Sequence, residues 1–183
     1  MNKTNFKIAE QSKVALENAL LKVMEQYNFK EITITQITQE ANLSRKTFYR
    51  WFSYKEDVIT AYYEHLFQEW LDKTKPQQIQ HYWDAVQAYF DFWEDRRSLL
   101  LLLKRNGLLS LLFEYTYKHS IEVFESVRST EIKSSFSRLL PFMLAYSIGG
   151  MHSMLLKWVE NDMDVPSSLL VEKLKLGFMS DDI

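Results

Sequence analysis

The sequence predicts an all-α fold, and three observations support it. Glycine and proline, which punctuate sheet-rich proteins, occur only four and three times in 183 residues. Hydrophobic residues make up 46% of the chain, which is enough to bury a core. Apolar residues recur at helical spacings of three and four, and no stretch shows the strict alternation of a half-buried strand. A chain of this length is expected to form one or two compact units.

The first helix is predicted from Ile8 to about Tyr27. Its apolar residues lie three and four positions apart, with Lys and Glu between them: Leu16, Ala19, Leu20, Val23, Met24 and Tyr27. Asn28 and the three residues after it interrupt this pattern, so the helix is expected to end there.

A short second helix is predicted to start at Ile34. Thr33 can accept a hydrogen bond from the free amide of Gln36, whose side chain can return one, which is a capping box. After about two turns this helix reaches Asn42-Leu43-Ser44, where the chain is expected to turn.

A third helix is predicted at Arg45–Phe52. Asn42 tolerates the left-handed conformation of a tight turn, and Ser44 can cap the helix that follows. Phe48 and Phe52 lie four residues apart and share one face, so the basic and hydroxyl residues between them are expected to stay outside the core.

The remaining chain is also predicted to be helical. A long fourth helix begins at Ser53 or Tyr54 and runs to about Lys73, because Pro76 marks its end. Further helices are predicted at residues 78–94, 97–105, 108–128, 132–160 and 166–179. The uncharged stretch from Leu139 to Leu156 contains Pro141 and two glycines, and we interpret it as a buried helix of a soluble protein rather than a membrane span.

Composition argues against several classes of site. The absence of cysteine excludes disulfides and thiolate zinc sites and fits a cytoplasmic location. The four histidines lack the spacing of a helical zinc site: His65, His81, His119 and His152. No phosphate-binding glycine loop or nucleophile elbow occurs, and the N-terminus does not resemble a secretory signal. We therefore expect a non-enzymatic protein without metal or other cofactor and without membrane attachment.

Charge is distributed unevenly along the chain. Residues 1–55 contain nine Lys or Arg and five Glu, a net charge of +4, whereas residues 56–183 carry a net charge of −6. A basic front on an acidic body suits a protein whose front alone approaches phosphates. The alternative is chance variation over a short window, and charge alone does not decide between the two. Together with the helix-turn-helix pattern described next, it favours a DNA-binding domain at residues 1–55 and a second domain at residues 56–183.

Two short helices joined by a tight turn, the second exposing basic residues, fit the major groove of DNA. Arg45 and Lys46 are predicted to read guanine edges, and Thr47, Tyr49 and Lys55 to hold phosphates. The alternative is a solvated basic face, and the surrounding motif favours DNA. The complete set of predicted DNA contacts is Thr33, Thr35, Ser44, Arg45, Lys46, Thr47, Tyr49, Arg50, Trp51, Tyr54 and Lys55.

Three segments carry a family resemblance: Thr33-Ile34-Thr35-Gln36-Ile37, Ala41-Asn42-Leu43-Ser44 and Thr47-Phe48-Tyr49-Arg50-Trp51-Phe52-Ser53-Tyr54-Lys55-Glu56. They resemble the signature of the tetracycline-repressor-like (TetR) family over roughly the first sixty residues. The resemblance implies a three-helix DNA-binding domain joined by the long fourth helix to a helical bundle for ligand binding and dimerisation. It also implies a homodimer, and most such proteins are repressors.

The sequence departs from that signature at three positions. Asn42 replaces the usual Gly of the turn, Lys46 replaces a small residue, and Trp51 replaces a frequent His or Tyr. The change at the turn is mild because Asn also accepts a positive φ. Lys46 and Trp51 alter the surface that would face the groove, so an operator sequence cannot be transferred from relatives.

The C-terminal part resembles the family more weakly, through Gly149-Gly150-Met151 and Trp158-Val159-Glu160-Asn161-Asp162-Met163. In the family the last two long helices pair across a two-fold axis, and paired glycines would allow close approach of two backbones. Alternatively, the glycines relieve crowding within one subunit.

The function expected from these features is a repressor that a small-molecule effector releases from a palindromic operator. The many aromatic residues after Pro76 favour an apolar or aromatic effector. An alternative is an interaction protein with the same fold that acts through a partner regulator and binds no small molecule. An enzyme using the Glu and His residues of the helical body has no positive signal in its favour.

Overall fold

The computed structural model describes residues 3–74, 79, 81–122 and 138–179, and within these ranges the protein is all-helical, without a β-strand. The predicted fold class is confirmed at this level. A 3₁₀ turn covers Phe29–Glu31. The α-helices with defined bounds are α1 Lys3–Gln26, α2 Ile34–Glu40, α3 Arg45–Trp51, α4 Lys55–Thr74, α5 Tyr82–Glu94, α6 Arg97–Arg105, α7 Leu109–Lys118, α8 Leu140–Glu160 and α9 Ser167–Met179.

The first compact unit, residues 1–66, is built on α1. Both α2 and α3 pack against α1 and against each other. Their shared core contains side chains that are 0–1% exposed: Leu16, Leu20, Met24, Ile37, Phe48 and Ile59. Removing such residues from water is the main stabilising contribution to a small helical unit, so the positions of α2 and α3 are fixed by the side chains that the periodicity predicted.

The starts of α2 and α3 confirm the local predictions. The Thr33 side chain accepts from the Gln36 amide at 3.3 Å, and the Gln36 side chain accepts from the Thr33 amide at 2.8 Å. Asn42 adopts the left-handed conformation with a φ of 52°. The Ser44 hydroxyl accepts from the Thr47 amide at 3.1 Å, so α3 begins at Arg45 as expected.

The second compact unit, residues 67–183, pairs α5 with α9 and packs α6, α7 and α8 together. Phe90, Leu100, Leu103 and Leu155 are completely buried in its core. The division between the units falls inside α4, which contributes residues to both. The functional boundary predicted at residues 55 and 56 is a different division and stays a prediction.

Two predicted helices have different bounds in the structure. The helix predicted at 132–160 begins at Leu140, because Arg138 and Leu139 form a turn. Pro141 occupies the first turn of α8, where the missing backbone N–H of proline breaks no hydrogen bond of the helix. The helix predicted at 108–128 is interrupted after Lys118. Residues 123–128 and 132–137 of these predictions lie outside the described residues.

The expectation that Leu139–Leu156 forms a buried helix is wrong for the first half of α8. Four large apolar side chains there are 42–75% exposed: Leu139, Phe142, Met143 and Tyr146. Burial begins at Ile148 and continues with Leu155, Trp158 and Val159. Among the described residues, no helix is both long and apolar enough to cross a membrane.

Candidate nucleic-acid interface

The turn between α2 and α3 is closed by backbone hydrogen bonds. The amide of Asn42 donates to the Gln39 carbonyl at 3.0 Å, and the amide of Leu43 donates to the Thr38 carbonyl at 2.8 Å. These bonds satisfy carbonyls that the end of α2 would otherwise leave without a partner. The turn therefore sets the direction in which α3 begins.

One face of α3 is anchored in the core. Phe48 is fully buried, and Phe52, directly after the helix, is 5% exposed, with the two ring centroids 5.7 Å apart. Because α3 has only seven residues, this anchor determines which side chains remain outside. The outward residues are Arg45, Lys46, Tyr49 and Arg50, all exposed, and α3 contains no acidic residue.

Arg45 and Tyr49 contact each other on this outward face. The Arg45 Nη2 donates to the Tyr49 hydroxyl at 3.3 Å, and the guanidinium carbon lies 5.9 Å from the centre of the tyrosine ring. Tyr49 in turn meets Phe48 edge to face, with ring centroids 5.5 Å apart. Lys46 and Arg50 have no hydrogen bond or ion pair with the described part of the chain.

Trp51 is directed towards α1. Its indole N–H donates to the Ser12 hydroxyl at 3.0 Å, and the side chain is half-buried. This hydrogen bond joins the end of α3 to α1 across 39 positions of sequence. The donor that a DNA contact by Trp51 would use is therefore already engaged within the unit.

Lys55 has a similar internal role. Its ammonium group donates to three backbone carbonyls, those of Phe29 at 2.6 Å, Lys30 at 3.0 Å and Ile32 at 2.9 Å. An ammonium group has three protons, so all of them are used at the 3₁₀ turn. The predicted contact of Lys55 with a phosphate would have to replace one of these three hydrogen bonds, and it stays a prediction.

The other predicted contacts differ in their exposure to solvent. Thr33, Thr35, Ser44 and Tyr54 are exposed, and Thr47 is half-buried. The hydroxyls of Ser44 and Thr47 are 3.0 Å apart.

The sequence analysis did not identify Asp57. Its carboxylate accepts from the amides of Ser53 and Tyr54, both at 2.8 Å, and so caps the start of α4. An acidic residue three positions after the residue that precedes a helix, here Tyr54, is a recognisable signal for such a cap.

No protein-family model matches this chain, and no curated protein matches it either.

Two cavities of the second unit are lined by described residues. One, of about 10 Å³, lies among Tyr89, Phe113, Ile148 and His152, and that volume accommodates roughly one water molecule. The other, of about 300 Å³, is lined by Lys73, Thr74, Asp84, Gln87, Ala88 and Asp91.

Desolvation lowers the pKa of His152 below its ordinary value. Across the described residues, no group of His, Asp and Glu is arranged to hold a metal ion.

Proposed function

We propose that this protein is a DNA-binding transcriptional regulator that uses α2, the Asn42 turn and α3 as a helix-turn-helix. The observation that carries the proposal is the outward face of α3, where three basic residues and Tyr49 project from a helix anchored by Phe48. A short exposed helix with guanidinium and ammonium groups can enter the major groove and bind base edges and phosphates. The TetR-like signature of the same residues supports this proposal independently.

A homodimer is part of the proposal, and α8 supports it. Its exposed apolar residues recur every three or four positions and form one face: Leu139, Phe142, Met143 and Tyr146. Within the described part of the chain, an added Cβ at Gly149 or Gly150 would meet no atom within 4 Å, so crowding among the described residues does not account for these glycines. Close approach of a second copy through α8 and α9 accounts for both features, and a two-fold pair of α3 helices would match a palindromic operator.

DNA binding is tested by selecting duplexes from a random pool with the full-length protein and measuring their binding by fluorescence anisotropy. The triple variant Arg45→Ala, Lys46→Ala, Arg50→Ala should bind the selected duplex about 100-fold more weakly or worse. The matched control removes three exposed basic residues of the second unit that lie outside α8 and α9, Lys73→Ala, Arg105→Ala and Lys118→Ala, and has the same net charge. Failure to select any duplex, or equal loss in both variants, would refute the proposal.

We further propose that a small apolar or aromatic effector releases the operator, as the resemblance implies. A compound that stabilises the folded protein should raise its unfolding temperature, so a thermal-shift screen of such compounds, followed by the anisotropy assay, tests this step. A compound that raises the unfolding temperature and weakens DNA binding supports it. Release of DNA by a protein partner, with no active compound, would favour the interaction protein instead.

A further inference from the structure

We propose that Tyr49 positions the guanidinium of Arg45 so that Arg45 selects a guanine in each half-site, while Lys46 and Arg50 contribute affinity without selectivity. This inference rests on the proposed DNA-binding function. It assigns different tasks to basic residues that the sequence treats alike.

The Arg45 side chain is hydrogen-bonded within α3 in the absence of DNA. An arginine side chain has many rotamers, so an unrestrained one contacts many sites and discriminates poorly among them. Arg45 is the first residue of α3, and Tyr49 lies one turn later on the same face. The hydrogen bond from Nη2 to the tyrosine hydroxyl at 3.3 Å restrains the guanidinium before any ligand arrives.

Tyr49 is itself packed against its neighbour Phe48. Its ring is packed edge to face on Phe48, at an interplanar angle of 84°, and Phe48 is fully buried. The tyrosine residue remains 52% exposed, so its packing on Phe48 leaves it accessible to a ligand. Arg45 is therefore connected through Tyr49 to Phe48, which is buried in the core of the unit.

The Arg45 guanidinium keeps N–H groups for a base after it has donated to Tyr49. The guanidinium has five N–H groups and gives one to Tyr49, which leaves enough to donate twice to the O6 and N7 acceptors of guanine. Because the hydroxyl accepts from Arg45, its own proton is directed elsewhere and can bind a phosphate oxygen. The pair would thus connect base reading to docking on the DNA backbone.

The other basic residues of α3 differ from Arg45 in this respect. Lys46 and Arg50 are exposed and have no such restraint within the described part of the chain. They can neutralise phosphates in several geometries, so they should add affinity that depends on salt and hardly on sequence.

The experiment uses the duplex selected by the full-length protein and a series in which each guanine is replaced in turn. A bidentate arginine discriminates its guanine by about 5- to 150-fold. Arg45→Ala should abolish that preference at one position per half-site. Tyr49→Phe, which keeps the ring and removes only the hydroxyl, should reduce the preference at that same position at least about threefold, because the guanidinium loses its restraint.

Tyr27→Phe is the matched control, because it removes another exposed tyrosine hydroxyl of the first unit at a residue that is not among the predicted DNA contacts. It should leave every base preference unchanged, and circular dichroism should show that each variant is folded.

Each outcome decides a different point. If Tyr49→Phe weakens all duplexes by one factor, Tyr49 is only a phosphate ligand and the inference is overturned. If Arg45→Ala keeps every guanine preference, the inference is also overturned although DNA binding stands. If the unmodified protein selects no duplex, the proposed function itself fails.

Discussion

The Lys55 ammonium group lies where three backbone carbonyls converge, and its charge also lies 4.8 Å from the centre of the Phe29 ring. Hydrogen bonds from a charged donor to buried or half-buried carbonyls contribute more than neutral ones. Lys55 therefore fastens the 3₁₀ turn to the start of α4, and its effect on DNA would be indirect.

Removing this ammonium group should reduce stability and leave the electrostatics of DNA binding intact. We expect Lys55→Met to lower the free energy of unfolding in urea by about 1–2 kcal/mol. The slope of log affinity against log salt should not change, because no phosphate contact is lost.

Lys46→Met is the opposite case. It should leave stability unchanged and reduce the salt slope by about one, since an exposed ammonium group on α3 is removed. A reduced slope in Lys55→Met with normal stability would show instead that Lys55 binds a phosphate.

Locally encoded features of the site could be predicted from residue types alone. The hydrogen bond between Thr33 and Gln36 and the one between Ser44 and Thr47 each join residues three positions apart. The left-handed turn at Asn42 is equally local, so residue types and spacing determine these features. Lys55 and Trp51 could not be placed in this way. Their partners lie 23–39 positions away and become neighbours only when α1, α3 and the 3₁₀ turn have packed.

At the scale of elements, α1 is joined to α4 by a buried acid. The Glu17 carboxylate is 2% exposed, and one of its oxygens lies 2.6 Å from Nδ1 of His65 on α4. Its other oxygen is buried without a hydrogen-bond partner. Burial raises the pKa of Glu17 above its ordinary value, against the opposing effects of His65 and Lys13, and Glu10 adds to the rise.

The sign of the resulting pH dependence follows from this shift. The folded protein holds the Glu17 proton more tightly than the unfolded chain does, so this group favours folding at low pH. That contribution is complete below the ordinary pKa of 4.5 and is lost as the pH rises through the folded pKa.

Glu17→Gln keeps the shape of the side chain and removes its titration. In urea unfolding of the full-length protein between pH 4 and pH 8, the stability of the variant relative to the unmodified protein should increase with pH. Glu64→Gln, on α4 and 57% exposed, should show no such trend. A difference between Glu17→Gln and the unmodified protein that does not vary with pH would contradict the assignment.

The helix pattern predicted where most elements lie, and α8 shows the limit of that reasoning. Apolar residues at spacings of three and four show that a face must be covered, but not whether the same chain covers it. Pro141 indicates the start of α8, because proline is tolerated in the first turn. The exposure of Phe142 and Tyr146 depends on tertiary packing and appears only in the structure.

At the scale of the whole molecule, the proposed dimer combines a basic reading surface with an apolar face. Residues 1–55 carry a net charge of +4 and residues 56–183 one of −6, so the phosphates of DNA are attracted to residues 1–55 of each copy. Two linked copies would bind adjacent half-sites with a high effective concentration for the second contact. DNA affinity and dimerisation should therefore fail together.

Gly150 tests this coupling with little disturbance of a single subunit. An added Cβ at this exposed position meets nothing within 4 Å, and replacing glycine inside a helix stabilises it by about 1 kcal/mol. Gly150→Leu should therefore raise the stability of the monomer while blocking close approach of a second α8. Sedimentation equilibrium should show monomers where the unmodified protein is dimeric, and operator affinity should fall about 100-fold.

Two further variants show whether any loss belongs to the apolar face of α8. Phe142→Gln should also produce monomers without loss of subunit stability, because the side chain is 75% exposed. Tyr117→Gln, on α7 and 47% exposed, changes another surface aromatic residue of the same unit and should leave dimerisation and operator affinity unchanged. Full dimerisation of both Gly150→Leu and Phe142→Gln would place the dimer contact elsewhere. Monomers with undiminished operator affinity would instead separate DNA binding from two-fold pairing.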